Sequence, residues 1–272
     1  MGKFDGILLA SDWDGTFFYN NRLFEENIKA LRYFEENGGN FTVCSGRYSD
    51  FLKTFMDKVP FNTYTICYNG AYIVDLNSEE VLYEGFCDEN LFNILDFIVE
   101  NNLAFDTINI YDSSSKDPIP FTYEEYINKK DDLKLKNIYK VLLRGNDIPA
   151  VTNAVNFIKK SELYDYYAVQ SWNLSLEILK RDNAKGRAIR RLGEKIGAKL
   201  IIAVGDYEND LDMIKEADIG YAVENAIEII KMAADRVTVP VTESAIANII
   251  YEIEKDIDNK SLCLWKLKNI AH

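Results

Sequence analysis

The chain has 272 residues, of which 47% are hydrophobic and 28% charged, the balance of an ordinary soluble globular protein. This length suits one large domain or two modest ones. The formal net charge of −13 argues against binding to nucleic acid or to anionic membranes, because both depend on clustered Lys and Arg. A small phosphorylated partner remains compatible, since a metal ion and one or two cations reverse the charge locally.

The only histidine of the chain is its last residue, His272, and this removes several catalytic chemistries. Ser-His-Asp and Cys-His catalysis and histidine-based zinc sites are excluded unless the C-terminal residue takes part. The cysteines lack CxxC spacing and are interpreted as reduced thiols; they are Cys44, Cys67, Cys87 and Cys263. Because no apolar run is long enough for a signal peptide or a membrane span, we expect a cytoplasmic protein.

The N-terminal part of the chain alternates between strand and helix patterns. Continuous apolar runs predict strands at 6–11, 40–44 and 63–67, and helical spacing of apolar residues predicts a helix at 24–37. Gly38-Gly39 is a helix-ending signal, and Asn69-Gly70 is a turn signal after the third strand. Strands alternating with helices indicate a parallel sheet flanked by helices.

The middle of the chain has a different pattern. Strands are predicted at 80–86, 104–110, 138–145, 166–172 and 174–180, and helices at 89–101 and 148–161. The last two strands are separated by no more than two residues, which predicts an antiparallel hairpin instead of a parallel crossover. We therefore expect a mixed α+β insertion over residues 82–180.

After the insertion the parallel pattern resumes. Helices are predicted at 186–197, 209–217 and 226–234, and strands at 199–206 and 218–223. Residues 1–81 and 181–272 are therefore expected to form one α/β core that encloses the inserted domain.

Two carboxylates, Asp12 and Asp14, follow the first predicted strand and enter a glycine turn in the sequence Asp-Trp-Asp-Gly-Thr. Ligands of open α/β sheets bind outside the carboxyl ends of the strands, so both side chains are expected near a site. Such a pair can divide the work, one as nucleophile or metal ligand and the other as general acid and base. The alternative is a structural loop whose acidic residues form the turn and cap a helix.

Two further segments are weaker candidates when taken alone. Ser45-Gly46-Arg47 follows the second core strand, where a hydroxyl and backbone N–H groups can hold a phosphate oxygen, although Ser is also a common helix cap. Arg47 either contacts a substrate or is a solvated helix residue. Lys185, just before the helix at 186–197, either neutralises a bound phosphate or is a surface charge.

A second acidic segment, with Asp206, Asn209 and Asp210, lies at the end of strand 199–206. Asp206 ends a strongly apolar strand, where an unpaired carboxylate is costly. Asn209 and Asp210 lie about one helical turn further on and hence close to Asp206. Oxygen ligands of this kind suit Mg²⁺. A helix-capping cluster explains Asn209 or Asp210 but leaves Asp206 unexplained.

Taken in order, the segments DWDGT, SGR, Lys185 and GDYEND resemble the haloacid dehalogenase-like phosphatases, and most of all the Cof-type branch with a type IIB cap. The resemblance extends over residues 5–80 and 181–255. It implies a Rossmann-like parallel-sheet core over 1–81 and 181–272, with 82–180 as an α+β cap that selects the substrate.

The resemblance also implies roles for individual residues. Asp12 would be the nucleophile, and Asp14 would be the general acid and base and would bind the metal through its backbone carbonyl. The metal ligands would be Asp12, Asp14, Asp206 and Asp210, and the phosphate-binding residues would be Ser45, Gly46, Lys185 and Asn209. Trp13 departs from the family pattern by its bulk, which would be large enough to restrict the pocket.

The sequence therefore predicts a Mg²⁺-dependent phosphatase that forms an aspartyl-phosphate and hydrolyses small phosphorylated metabolites, with sugar phosphates as the first class. A phosphotransferase such as a phosphohexomutase would use the same core motifs. A non-catalytic sugar-phosphate binding protein is a third alternative, disfavoured because all the motif residues are present. The substrate and the oligomeric state are left open by the sequence.

Overall fold

The computed structural model describes residues 2–115, 117–161 and 165–261, so His272 and Cys263 lie outside the described part. The chain divides into two units: a core unit, made from the segments before Tyr83 and after Ala184, and an inserted unit, Tyr83–Ala184. This division falls within a few residues of the predicted insertion at 82–180. Among the described residues, no helix is both long and apolar enough to cross a membrane.

The first segment of the chain contains short strands and one substantial helix. Its strands are β1 (Ile7–Ser11), β2 (Phe18–Tyr19), β3 (Arg22–Leu23), β4 (Asn40–Val43), β5 (Thr65–Cys67), β6 (Tyr72–Val74) and β7 (Val81–Glu84), and its helices are α1 (Glu25–Glu36) and α2 (Ser49–Lys53). Helix α1 buries one face, including Leu31 and Phe34, and ends where Gly38 adopts a φ of 90°. The predicted glycine helix end is thus confirmed.

The inserted unit is built on one antiparallel sheet. Its elements after β7 are α3 (Asn90–Glu100), β8 (Thr107–Asp112), β9 (Ile119–Phe121), α4 (Tyr123–Leu133), β10 (Ile138–Arg144), α5 (Ile148–Lys160), β11 (Tyr166–Trp172) and β12 (Ser175–Lys180). The strand order is β11-β12-β10-β8-β9, and buried residues of the three helices pack with buried residues of the sheet in one apolar cluster. Strands β11 and β12 pair antiparallel, which confirms the predicted hairpin.

The last segment returns to the core unit. It contains α6 (Lys185–Ile196), β13 (Leu200–Gly205), α7 (Leu211–Glu216), β14 (Ile219–Ala222), α8 (Glu228–Ala233), β15 (Arg236–Val237) and α9 (Ala245–Asp258). The five core strands pair parallel in the order β15-β14-β13-β1-β4. Because β1 and β13 are buried along their whole length, they appear in the sequence as continuous apolar runs.

Three parts of the architecture differ from the sequence prediction or were absent from it. Strand β5 pairs antiparallel with β6 in a small separate sheet, and its Ile66 forms an isolated bridge to Cys44, the residue after β4. Helix α4 and strand β9 fill the region after β8, and helix α9 follows β15. The capping box formed by Thr122 and Glu125 is a sequence signal for α4 that had not been used.

This capping box generates the first testable prediction. The Thr122 hydroxyl accepts a hydrogen bond from the Glu125 amide, and the Glu125 carboxylate accepts one from the Thr122 amide. Thr122→Ala removes the first of these, so it should lower the free energy of unfolding by about 1 kcal/mol in chemical denaturation. Thr152→Ala, the same change at an exposed interior position of α5, should be neutral or slightly stabilising; an equal loss in both variants would contradict the capping role.

Candidate active site

The polar residues singled out in the sequence lie where adjacent parallel strands end. Asp12 follows β1, Ser45 follows β4 closely, and Asp206 follows β13 directly. The ladder extends into these positions, since the Asp12 amide donates to the Val204 carbonyl and the Cys44 amide to the Ser11 carbonyl. Strand order therefore brings together three segments that are far apart in the sequence.

A cluster of three carboxylates forms the centre of the site: Asp12, Asp206 and Asp210 place one oxygen each within 4.8 Å of one another. Asp12 and Asp210 are buried, and Asp206 is partly buried. The ammonium group of Lys185, at the first position of α6, lies 2.6 Å from an oxygen of Asp12 and 2.6 Å from an oxygen of Asp210. One cation thus faces three carboxylates in a largely dry space.

The electrostatics of this cluster favour a further cation. Burial and the charge of Asp210 raise the pKa of Asp12 well above its usual value, and the same two causes raise the pKa of Asp206 to about 7. Burial lowers the pKa of Lys185, but the charges of Asp12 and Asp210 outweigh it and hold that pKa well above normal. Hard oxygen donors with excess negative charge fit Mg²⁺.

Two carboxylates of the cluster, those of Asp206 and Asp210, are oriented by hydrogen bonds from the core unit. The Thr16 hydroxyl donates to Asp206 at 2.8 Å. One oxygen of Asp210 accepts from the amides of Asp206 and Tyr207 at 2.9 and 3.1 Å, while its other oxygen accepts from Lys185. Asp210 therefore fixes both the loop backbone and the lysine, in addition to offering an oxygen to the cluster.

Two glycines allow the loops to approach each other. Gly15 has a φ of +88°, and a Cβ there would lie 2.4 Å from an Asp206 oxygen. At Gly205 a Cβ would lie 2.5 Å from the Asp210 carboxyl carbon.

The side chain of Asn225 donates to the Gly15 carbonyl at 2.9 Å and accepts from the Val241 amide at 2.8 Å. Sequence reasoning had assigned no role to Asn225, whose contact with the turn depends on long-range packing.

The phosphate-binding candidates occupy the same edge of the sheet. Ser45 is buried, and its hydroxyl oxygen accepts a hydrogen bond from the Arg47 amide at 3.1 Å, with Gly46 between them. Asn209 is buried in the short 3₁₀ turn Glu208–Asp210 that joins β13 to α7. Lys185 is fully buried, so its interpretation as a surface charge is wrong.

The carboxylate of Asp14 lies outside the three-carboxylate cluster and has a different partner. Arg47 holds it in a fork, with Nε 2.7 Å from one oxygen and Nη2 2.9 Å from the other. Arg47 precedes α2, which begins at Ser49, so its interpretation as a helix residue is wrong. The sequence had left the partner of Arg47 open, because no short-range pattern links positions 14 and 47.

Comparison with known proteins identifies the family of the chain. A family model described as haloacid dehalogenase-like hydrolase matches residues 9–250. The chain belongs to the haloacid dehalogenase-like hydrolase family. It is 29% identical over 266 residues to YxeH of Bacillus subtilis, an alignment that covers 90% of this chain and 97% of YxeH.

Two further proteins are similar to this haloacid dehalogenase-like hydrolase over most of its length. The 5-amino-6-(5-phospho-D-ribitylamino)uracil phosphatase YcsE of Bacillus subtilis is 27% identical, covering 89% of this chain and 94% of YcsE. The solved structure of the HAD subclass IIB sugar phosphatase BT4131 superposes with a TM-score of 0.73 at 20% identity, covering 90% of this chain and 98% of that one. The structural likeness confirms the predicted α/β fold.

Trp13, the residue between the two aspartates, was expected to restrict the pocket because of its size. In the structure it lies in the core. Its ring is fully buried, stacks on Phe18 at 5.3 Å and meets Phe17, Phe51 and Phe55 edge-on at 5.4, 6.3 and 4.8 Å. The side chain therefore fills core space behind the turn, and the expectation that it restricts the pocket is wrong.

The buried Lys185 generates a stability prediction. Lys185→Met keeps the apolar stem but leaves Asp12 and Asp210 without their counter-charge, so it should lower the free energy of unfolding by about 3–5 kcal/mol without Mg²⁺. Chemical denaturation measures the loss, and added Mg²⁺ should restore part of it. Lys195→Met, at a half-exposed position of the same helix, should change stability little. Equal effects of the two variants would refute the counter-charge role.

The acidic cluster also generates a pH prediction for the metal-free protein. The pKa of Asp206 is raised from 3.8 to about 7, so the folded protein favours the protonated carboxyl group. The stability that this protonation contributes to the fold is lost as the pH rises from 3.8 to about 7. The raised pKa of Asp12 acts in the same direction. We expect the melting temperature to fall as the pH rises from about 5 to about 7.

Mg²⁺ should oppose this fall by stabilising the ionised carboxylates. In melting curves the gain from Mg²⁺ should therefore be larger at the higher pH. Asp206→Asn should flatten the pH dependence and reduce the gain. An unchanged Mg²⁺ effect in Asp206→Asn would exclude this residue from the metal site.

Proposed function

We propose that the chain is a Mg²⁺-dependent phosphatase that hydrolyses small phosphorylated metabolites through an aspartyl-phosphate on Asp12. The observation that carries this proposal is a buried carboxylate, Asp12, held by a buried lysine inside an acidic cluster at the ends of parallel strands. Asp12, Asp206 and Asp210, with the backbone carbonyl of Asp14, would hold the metal. Bound Mg²⁺ supplies the positive charge that offsets repulsion between an anionic phosphate and an anionic nucleophile.

The contacts of Asp12 suit nucleophilic attack. Lys185 binds Oδ1, which leaves Oδ2 to attack phosphorus. As the new O–P bond forms, the bond between phosphorus and the leaving alcohol breaks, and Asp14 donates a proton to the departing oxygen. Asp14, now ionised, takes a proton from a water molecule that attacks the acyl-phosphate, and this releases inorganic phosphate and regenerates Asp12.

Several donors would hold the phosphoryl oxygens during both steps. Lys185 already lies beside Asp12, and the Ser45 hydroxyl and Gly46 amide end the neighbouring strand β4. Asn209 would add a side-chain amide from the turn after β13. Fixed donors of this kind stabilise charge that develops in the transition state without reorganisation.

The substrate class is the finer part of the proposal. The names of YcsE and BT4131 attach a ribitylamino-uracil phosphate to one protein and sugars to the other. Both are small phosphate monoesters with hydroxyl-bearing carbon chains, so we propose sugar phosphates and related polyol phosphates as the first compounds to test. Family membership leaves the individual substrate open, since the relatives differ in theirs.

The direct test measures phosphate release from p-nitrophenyl phosphate, with and without Mg²⁺. The wild type should turn over only with Mg²⁺, and Asp12→Asn should lower the rate by about 10³-fold or more, because the nucleophile is lost. Asp57→Asn, the same change at an exposed position outside the site, should keep full activity.

Each other outcome has a distinct meaning. Activity that survives in Asp12→Asn would refute Asp12 as nucleophile. An isomerised sugar phosphate in place of free phosphate would identify a phosphohexomutase, in which a second sugar hydroxyl replaces water. Binding of sugar phosphates without any Mg²⁺-dependent turnover would identify a non-catalytic binding protein.

A further inference from the structure

The fork between Arg47 and Asp14 connects two motif loops of the core unit. Both carboxylate oxygens are engaged, at 2.7 Å by Nε and at 2.9 Å by Nη2. A bidentate pair of this kind fixes the direction of a carboxylate as well as its position. The Arg47 amide also donates to the Ser45 hydroxyl, so one residue contacts both the acid and a phosphate-binding candidate.

Arg47 is itself held in place. Its guanidinium carbon lies 4.6 Å from the centroid of the Phe51 ring, in the geometry of a cation–π contact. Phe51 in turn meets Phe55 at 5.4 Å and Trp13 at 6.3 Å, within the aromatic cluster of the core unit. The guanidinium group is therefore held by an aromatic contact as well as by the ion pair with Asp14.

This ion pair contributes little to folding. The side chains of Arg47 and Asp14 are 44% and 48% exposed, and exposed ion pairs are worth roughly 0.2–1 kcal/mol. Arg47 nevertheless makes two hydrogen bonds to Asp14 and an aromatic contact with Phe51. Its contribution is better sought in the geometry of the reaction.

We propose that Arg47 is a positioning residue that holds the Asp14 carboxylate at the angle from which it exchanges protons. The inference rests on the proposed function of Asp14 as general acid and base. Proton transfer requires the carboxyl group within hydrogen-bond reach of the reacting oxygen, and an exposed aspartate otherwise rotates freely about its side-chain bonds.

The fork also permits a division between the two oxygens of Asp14. One oxygen keeps accepting a hydrogen bond from Arg47 while the other carries the mobile proton. In the first step that proton passes from Asp14 to the leaving alcohol oxygen as its bond to phosphorus breaks. In the second step Asp14 takes a proton from the attacking water, so the proton count balances over the cycle.

Arginine is suited to this role in a way that lysine is not. The guanidinium group offers two parallel N–H donors and a flat face for stacking, whereas an ammonium group is a compact charge without a plane. Arg47→Lys therefore keeps the positive charge but loses both the fork and the stacking on Phe51. The conservative variant separates positioning from simple charge.

The test compares kcat/KM for phenyl phosphate and p-nitrophenyl phosphate in the presence of Mg²⁺. Phenolate is the more basic leaving group, so its departure depends more on a donated proton. For a reaction through a phosphoenzyme, kcat/KM covers the steps up to transfer of the phosphoryl group to Asp12 and is insensitive to the later hydrolysis. Arg47→Ala should lose about 10-fold more on phenyl phosphate than on p-nitrophenyl phosphate.

Four further variants sharpen the comparison. Arg47→Lys should show most of the same substrate-dependent loss, and Phe51→Leu a smaller version of it. Arg47→Ala made in an Asp14→Asn background should add no further loss, because the two residues act through one proton transfer. Lys53→Ala removes a positive charge of helix α2 that is paired with Glu79, and it should leave both rates unchanged.

The outcomes that overturn the proposal are specific. Equal losses on the two substrates would mean that Arg47 binds the phosphate they share, and full activity of Arg47→Ala would make the pair a surface contact. Restored activity in Arg47→Lys would reduce the role to charge. Failure of the proposed function is seen separately, as an inactive wild type or an active Asp12→Asn. Unchanged melting temperatures of the variants would show that their folds are intact.

Discussion

The site depends on three closely packed carboxylates, two of them buried and one partly buried, beside the buried ammonium group of Lys185. Asp12, Asp206 and Asp210 come from loops that only the parallel sheet brings together, and Lys185 reaches two of them from the start of α6. Carboxylates packed this closely repel each other, and burial removes the water that would screen them. The arrangement is held because the strands, the glycine turns and the hydrogen bonds to Asp206 and Asp210 fix it in advance.

Much of this could be read from the sequence, because the informative signals were local. Two continuous apolar runs that end at a carboxylate predicted the strands β1, followed by Asp12, and β13, followed by Asp206. Because sites of parallel sheets form at the carboxyl ends of the strands, these two residues were expected to lie close together. The resemblance to haloacid dehalogenase-like phosphatases joined these segments into one pattern, and the match over residues 9–250 confirms the family. Lys185 was the weakest of these signals, since a lysine before a helix is usually exposed.

What could not be predicted was set by side-chain direction and long-range pairing. Trp13 lies between two site residues, yet the turn after β1 directs its ring into the core, and strand alternation gives no guide within a turn. The alternation of strands and helices in the sequence predicted that β5 belongs to the parallel sheet. In the structure β5 instead pairs with β6 in an antiparallel hairpin. The partners of Arg47 and Asn225 lie 33 and 210 positions away in the chain, beyond any local pattern.

Asp12 and Asp14 show how two residues of one type acquire opposite environments within three positions. Asp12 continues the ladder of β1, is buried and is bound by Lys185, so it is desolvated and held in place, which suits its proposed role as nucleophile. Asp14 lies beyond the ladder, is half exposed and is bound by a half-exposed arginine, which suits its proposed exchange of protons with a leaving oxygen and a water molecule. The same turn that buries Trp13 places Asp14 outside the buried cluster. Environment, more than residue type, therefore divides the proposed roles between the two aspartates.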